Sequence, residues 1–218
     1  KSCLNVADIL EYAGSVDLAE VKPLLLRQIA CNSAIAEEGL TNVWGAQIGR
    51  ILLDDYGDDV KQRAKAYAAA GSDARMSGCE MPVVILSGSG NQGITACMPV
   101  VVYARHIGAT EEQLCRALLV SDLITIHQKS GIGRLSAYCG AISAGVGAGA
   151  GICYLLGGDF SAVAHTVVNA VAILSGTVCD GAKPSCAAKI AAAVDAGILG
   201  YHMYLHDREF HRGEGIVA

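Results

Sequence analysis

The chain has 218 residues, a formal net charge of -5 and a hydrophobic fraction of 52 %, with aromatics at only 5 %. Nucleic-acid affinity depends on Lys and Arg neutralising phosphates, so an acidic chain without a basic cluster points away from nucleic acid and toward small-molecule partners. No Pro- or Ser-rich linker divides the sequence, which reads as one domain over 1–218 whose core is built from Ala, Val, Ile, Leu and Gly with closely approaching backbones.

Nine cysteines is an odd number, and their scattered spacing matches no compact disulfide framework. The first residues carry no secretory signal, so a cytoplasmic protein is expected. The chain opens at Lys1 without an initiator Met and reads as a fragment of something longer.

From Val6 to about Ala70 the pattern predicts amphipathic helices, with Leu24, Leu25, Ile29 and Ile35 at helical spacing and the Ser33 to Leu40 stretch ending at Gly39. Asp54-Asp55 and Asp58-Asp59 around Tyr56-Gly57 read as a solvated loop, since the alternating oxygen ligands of a calcium loop are absent. Residues 71–80 read as a polar, glycine-bounded break, and one short strand pair is expected near 82–90.

Gly88, Gly90 and Gly93 then spell G-x-G-x-x-G after the apolar run Pro82 to Leu86. A dinucleotide site needs a second strand with an acidic residue about 20 positions on. That position falls at Glu111 or Glu112, inside a helix start made by the capping box of Thr110 and Gln113, whose helix runs through Leu114, Leu118 and Ile124. Pro99 also lies too deep in any helix following the glycines to occupy the favoured first turn. No Gly-Lys-Ser/Thr follows, so the stretch is no P-loop either. It reads instead as a polar loop presenting Ser87, Ser89, Asn91 and Gln92 with free N–H groups to a carboxylate.

Leu135 to Gly158 carries no charged residue and Phe160 to Val178 adds only His165. Their Gly, Ala and Ser content and unremarkable flanks predict buried helices rather than membrane spans, with Gly147-x-x-x-Gly151 as a helix contact.

Cys179-Asp-Gly-Ala-Lys-Pro-Ser-Cys186 opens a helix from Ala187 to about Tyr204. Gly181 and Pro184 break any helix between the two cysteines, leaving one thiolate on a loop and the other in a first turn, where amides and dipole favour negative charge. With Cys139 as third ligand, such thiolates suit an iron-sulfur cluster with one open iron, and zinc remains an alternative on spacing alone. Cys31, Cys97, Cys115 and Cys153 lie in apolar segments and are read as core, while Cys3 and Cys79 stay undecided. His202, His206 and His211 sit in a charged tail and are read as solvent-facing.

Four segments together, Ser87 to Ile94, Gly133 to Gly140, Cys179 to Cys186 and Gly213 to Val217, resemble the L-cysteine desulfidase family, which is related to the alpha chain of bacterial iron-sulfur L-serine dehydratases. The resemblance covers the chain from about Ile35 onward, and the Cys179 to Cys186 segment is its most specific part. It implies a 4Fe-4S cluster on Cys139, Cys179 and Cys186, and beta-elimination of L-cysteine to pyruvate, ammonia and sulfide without pyridoxal phosphate. L-serine is the alternative substrate. A non-catalytic assembly or regulatory module without a cluster is the alternative outside enzymes. Lys129 and His127 are the local acid/base or carboxylate-partner candidates. Family members are about twice as long and carry a Gly-Cys-Thr-Glu-Pro type motif, thought to supply the base, that this sequence lacks; the chain also stops soon after Gly213-Glu-Gly-Ile-Val217, where the family continues. The expected product is thus an all-α, cluster-binding part of a two-part lyase, compatible with a homo-oligomer and inactive alone if the base is missing.

Overall fold

A computed structural model describes residues 4–133 and 136–215. Cys3, Arg134, Leu135, Ile216 and Val217 lie outside the described residues. The described residues form nine helices and no sheet: α1 (Val6–Ser15), α2 (Leu18–Thr41), α3 (Ile48–Tyr56), α4 (Val60–Met76), α5 (Gly90–Ile107), α6 (Glu111–Ile132), α7 (Gly140–Leu155), α8 (Phe160–Ile173) and α9 (Cys186–Leu205). The all-α expectation holds. The expected strand pair reduces to a single antiparallel bridge, Leu86 with Ser89. Ser87 (φ 48) and Gly88 (φ 89) make the tight turn between them, a conformation that glycine reaches at little cost.

Two helices occupy the middle. Every residue of α5 from Gly90 to Ala104 is buried, and so is α7 from Ser143 to Cys153. Around them α2 and α4 pack on α5, while α6, α8 and α9 pack on α7. None of the described helices is long and apolar enough to cross a membrane; the uncharged stretches become α7 and α8.

Small residues make this packing close. A Cβ on Gly145 would strike the Ala193 backbone, one on Gly149 would strike Gly197, and one on Gly197 would strike Gly145. Pairing 145 with 193 and 149 with 197 makes α7 and α9 parallel, with their N-termini at one end. Gly140 meets Gln92 and Gly151 meets Val100, so α5 runs parallel to them as well. Gly147 lies on Ser121 and Thr125 while Gly151 lies on Ala117, which sets α6 antiparallel to α7. His165 stacks on Tyr204 and Ala170 packs on Gly200, which sets α8 antiparallel to α9.

Three local expectations are corrected. Helix α2 does not end at Gly39; it continues to Thr41, because that glycine lies directly on the Ala70 backbone and only a missing side chain lets α2 and α4 touch. Residues 71–76 are not a break but the last turns of α4, with Gly71, Ser72 and Asp73 buried. Asp73 is polar for a reason: its carboxylate accepts from the backbone N–H of Ala46 (3.3 Å) and Ile48 (2.7 Å), capping α3, whose own N-cap Gln47 makes no side-chain bond. Burial raises the Asp73 pKa and these two N–H groups oppose the rise. Finally, α5 does tolerate Pro99 well inside it. The case against a dinucleotide site therefore rests on the missing sheet, and the expected capping box of Thr110 and Gln113 is present in both directions at the start of α6.

Asp58 and Asp59 are not idle either: Asp59 caps α4 through the Gln62 N–H (2.8 Å), and Asp58 pairs with Arg63 at 2.9 Å. Deep between α2 and α6, Asp122 has one donor, the Gln28 amide at 3.0 Å, and burial pushes its pKa up to about 7.

Candidate functional site

The helix directions bring five ends together. The N-termini of α5, α7 and α9 meet the C-terminal ends of α6 and α8 at one corner of the molecule. Three helix N-termini bring partial positive charge to this corner, and those of α7 and α9 have no side-chain cap, an environment suited to anions such as thiolates and carboxylates.

Two of the predicted cysteines start those helices. Cys139 is the N-cap residue of α7 and Cys186 is the first residue of α9, where the N-cap Ser185 makes no side-chain bond. Cys179 lies on the exposed loop before α9 and is joined to the Cys139 segment by backbone. The Cys139 N–H donates to the Thr177 carbonyl at 3.0 Å and the Cys179 N–H to the Ala137 carbonyl at 2.6 Å, flanking a bridge between Tyr138 and Val178. The Cys186 sulfur accepts from the Lys183 N–H at 3.5 Å. One sulfur on a loop and another in a helix first turn is the arrangement expected from Gly181 and Pro184.

Burial raises the Cys139 pKa; the Ala141 backbone N–H and, more remotely, Lys189 act against that rise, whereas the other two sulfurs add to it. No three Cys, His, Asp or Glu side chains among the described residues stand close enough to share one metal ion. The remaining cysteines differ in kind. Cys97, Cys115 and Cys153 are buried in the core, where burial raises their thiol pKa values, Cys153 to about 11. Cys31 and Cys79 are half-buried.

Beside Cys139 opens a cleft of about 370 Å³ lined by Ile132, Ile142, Val171 and Leu174 with Gln128 and Ser143 among its polar groups. It lies where α6 and α8 end against the start of α7. Of the 126–131 segment it is Gln128 that lines the cleft; His127 and Lys129 sit half-buried on either side of it in α6. Lys129 near the end of α6 also suits the negative pole of that helix.

The glycine motif at 88–93 is only partly a loop. Ser89 caps α5 through the Gln92 N–H, and Asn91 and Gln92 are buried in its first turn, leaving Ser87 on the turn. Asn91 accepts from Arg75 at 3.1 Å, and a side chain at Gly90 would collide with that guanidinium. Gly93 lies on the Val84 carbonyl, and the Asn32 amide holds Val84 from the other side. The Gln92 amide abuts Gly140, next to Cys139, and its buried Oε1 has no hydrogen-bond partner among the described residues. The motif therefore ties the start of α5 to the start of α7. Arg75, Gln128 and Lys189 are residues at or near this corner that sequence reasoning did not single out. The spacing of Lys189, three positions after Cys186, was the signal for the last of them.

His202 and His206 lie at the exposed end of α9, and His202 has its pKa lowered by partial burial and by Lys61 and His206. They face solvent, away from the cysteine corner.

The family model for the serine dehydratase alpha chain matches residues 6–218. A UPF0597 protein of Desulfitobacterium hafniense is 63 % identical over 218 residues, covering 100 % of this chain and 51 % of the relative. UPF0597 proteins of Lachnoclostridium phytofermentans and Finegoldia magna are 57 % and 56 % identical over 99 % and 98 % of the chain, and 52 % and 51 % of their own lengths. The chain spans about half the length of the curated relatives it matches. No solved structure matches it.

Proposed function

Because the chain belongs to the serine dehydratase alpha chain family, we propose that it is the cluster-bearing part of a lyase that eliminates sulfide from L-cysteine without pyridoxal phosphate. The observation that carries this reading is the convergence of Cys139 and Cys186, at the starts of two parallel helices, with Cys179 bonded through its backbone to the Cys139 segment.

The donor set fits an iron-sulfur cluster. Three thiols at a corner rich in helix N-termini suit an anionic group, the chemistry by which thiolates hold iron-sulfur clusters, and a bound metal or cluster would draw these thiols closer together than they stand in the described residues. Cys139, Cys179 and Cys186 would hold a 4Fe-4S cluster, which when bound supplies an open iron as Lewis acid toward the leaving group.

The chain's own groups supply the rest. Ile132, Ile142, Val171 and Leu174 exclude water from the cleft, and Gln128 and Ser143 orient a small polar substrate within it. The carboxylate is assigned to the Ser87, Ser89, Asn91 and Gln92 segment, at the N-terminus of α5 and beside Arg75. Lys129 and His127, which flank Gln128 in α6 without lining the cleft, are the acid/base or carboxylate-partner candidates nearest to it. Proton removal and loss of sulfide with the C–S electron pair leave aminoacrylate, which hydrolyses to pyruvate and ammonia. L-serine, losing water instead of sulfide, is the alternative substrate that the family's description favours. Anaerobic assays of the full-length protein with each amino acid test this: pyruvate with equimolar sulfide from L-cysteine is expected, and no pyruvate from either substrate overturns the proposal.

A further inference from the structure

Residues 178–185 are all exposed, so no buried side chain anchors the segment that carries Cys179 and leads to Cys186. Its backbone is tied at one end by the Cys179 N–H to Ala137. At the other end the bonds are local: Cys186 N–H to the Lys183 carbonyl at 2.9 Å, and the Cys186 sulfur with the Lys183 N–H and the Gly181 carbonyl. Among the described residues, one side-chain ion pair crosses from this segment to the body of α9, Lys189 Nζ to Asp180 Oδ1 at 2.6 Å. Lys189 lies three residues beyond Cys186 and shares its side of the helix. Gly181 (φ 95) turns the chain immediately after Asp180. Lys183 is the other cation near Asp180, but it belongs to the loop and cannot tie that loop to the helix.

We propose that the Lys189–Asp180 pair is a latch that holds the 180–185 loop down on α9 and thereby fixes the separation of Cys179 and Cys186. Lys189 is then a positioning residue, and its role in ligation rests on the reading of those two cysteines as ligands. With Asp180 next to Cys179 in sequence and Lys189 on the same helical face as Cys186, breaking the pair frees the loop between two points without touching either sulfur. The pair is partly exposed, at 24 % and 50 % for the two side chains, so the effect is modest. An exposed ion pair supports a change of about two- to five-fold in local opening.

The test uses the reduced, metal-free full-length chain. The rate of Cys186 alkylation by iodoacetamide is followed by tandem mass spectrometry, with the half-buried Cys31 of α2 as internal reference. Cys186 is buried, so a freed loop speeds its reaction, by about two- to five-fold in Asp180→Asn and in Lys189→Ala. Lys189→Arg, and the exchanged pair Asp180→Lys with Lys189→Asp, return it to the parent rate. Loss of a cation that merely stabilised the thiolate would slow Cys186 in Lys189→Ala, the opposite sign. An unchanged or slower Cys186 in either single variant, or failure of the exchanged pair to restore it, overturns the latch. This readout needs no metal: a parent protein that binds no iron yet shows the alkylation pattern loses its cluster assignment and keeps its latch.

Discussion

The glycine seam and the cysteine corner are built on opposite principles. Along the seam of α7 and α9, backbone lies on backbone, and Gly145, Gly149 and Gly197 have no room for even a methyl group. At the corner where those helices begin, Cys179 and the residues around it are exposed, neither Cys139 nor Ser185 caps its helix with a side chain, and short backbone bonds do the holding. The seam is fixed by sterics and has one solution. The corner is held by backbone bonds and local turns, and at α7 and α9 no side chain caps the first N–H groups.

The sharpest way to break this contrast is to fill the seam. Gly197→Val should destabilise the fold by about 3 kcal/mol or more, since overpacking against backbone cannot be relieved by a side-chain rotation; urea unfolding followed by circular dichroism measures it, and a loss under about 1 kcal/mol would deny the seam its role.

Next in size is the buried carboxylate between α2 and α6. Asp122 has a folded pKa raised from 3.8 to about 7, so the folded state holds a proton that the unfolded state releases. Its contribution is complete below about pH 4 and is lost as pH rises through 7, with on the order of 2–3 kcal/mol of the loss falling between pH 5 and pH 7. Unfolding free energies at pH 5 and pH 7 should differ accordingly in the parent, and Asp122→Asn should flatten the difference.

Thr110→Ala removes one half of a capping box far from both regions and should cost about 1 kcal/mol, read from the same unfolding curves. It calibrates what an ordinary cap is worth in this fold. Smallest in stability is Cys179→Ala, which should change unfolding by less than about 0.5 kcal/mol because the residue is exposed, while changing metal content greatly. A large stability loss there would mean that the corner is structural after all.

Which features could be read from sequence follows from the same division. Features set by neighbours in the chain were legible: the Thr110 and Gln113 box, and a cysteine pair split by Gly181 and Pro184 into loop and first turn. Features set by tertiary contact were not. Gly39 and Gly71 look like helix breakers locally, yet each is there because another helix presses on it. Asp73 looks like a loop residue and caps a helix 25 positions earlier in the chain. Gln92 was expected on an open loop, but the helix begins at Gly90 and buries it against Gly140. Gln128 lines the cleft in place of the more reactive His127 and Lys129 because helix phase, not chemistry, decides which side chain faces the end of α7.

Iron and acid-labile sulfide per chain decide whether the corner holds a cluster. Anaerobically prepared full-length protein should carry roughly four of each, and Cys139→Ala, Cys179→Ala and Cys186→Ala should each lose most of it while remaining folded. Iron and sulfide absent from the reconstituted parent, or unchanged in all three variants, would mean that these cysteines hold no cluster.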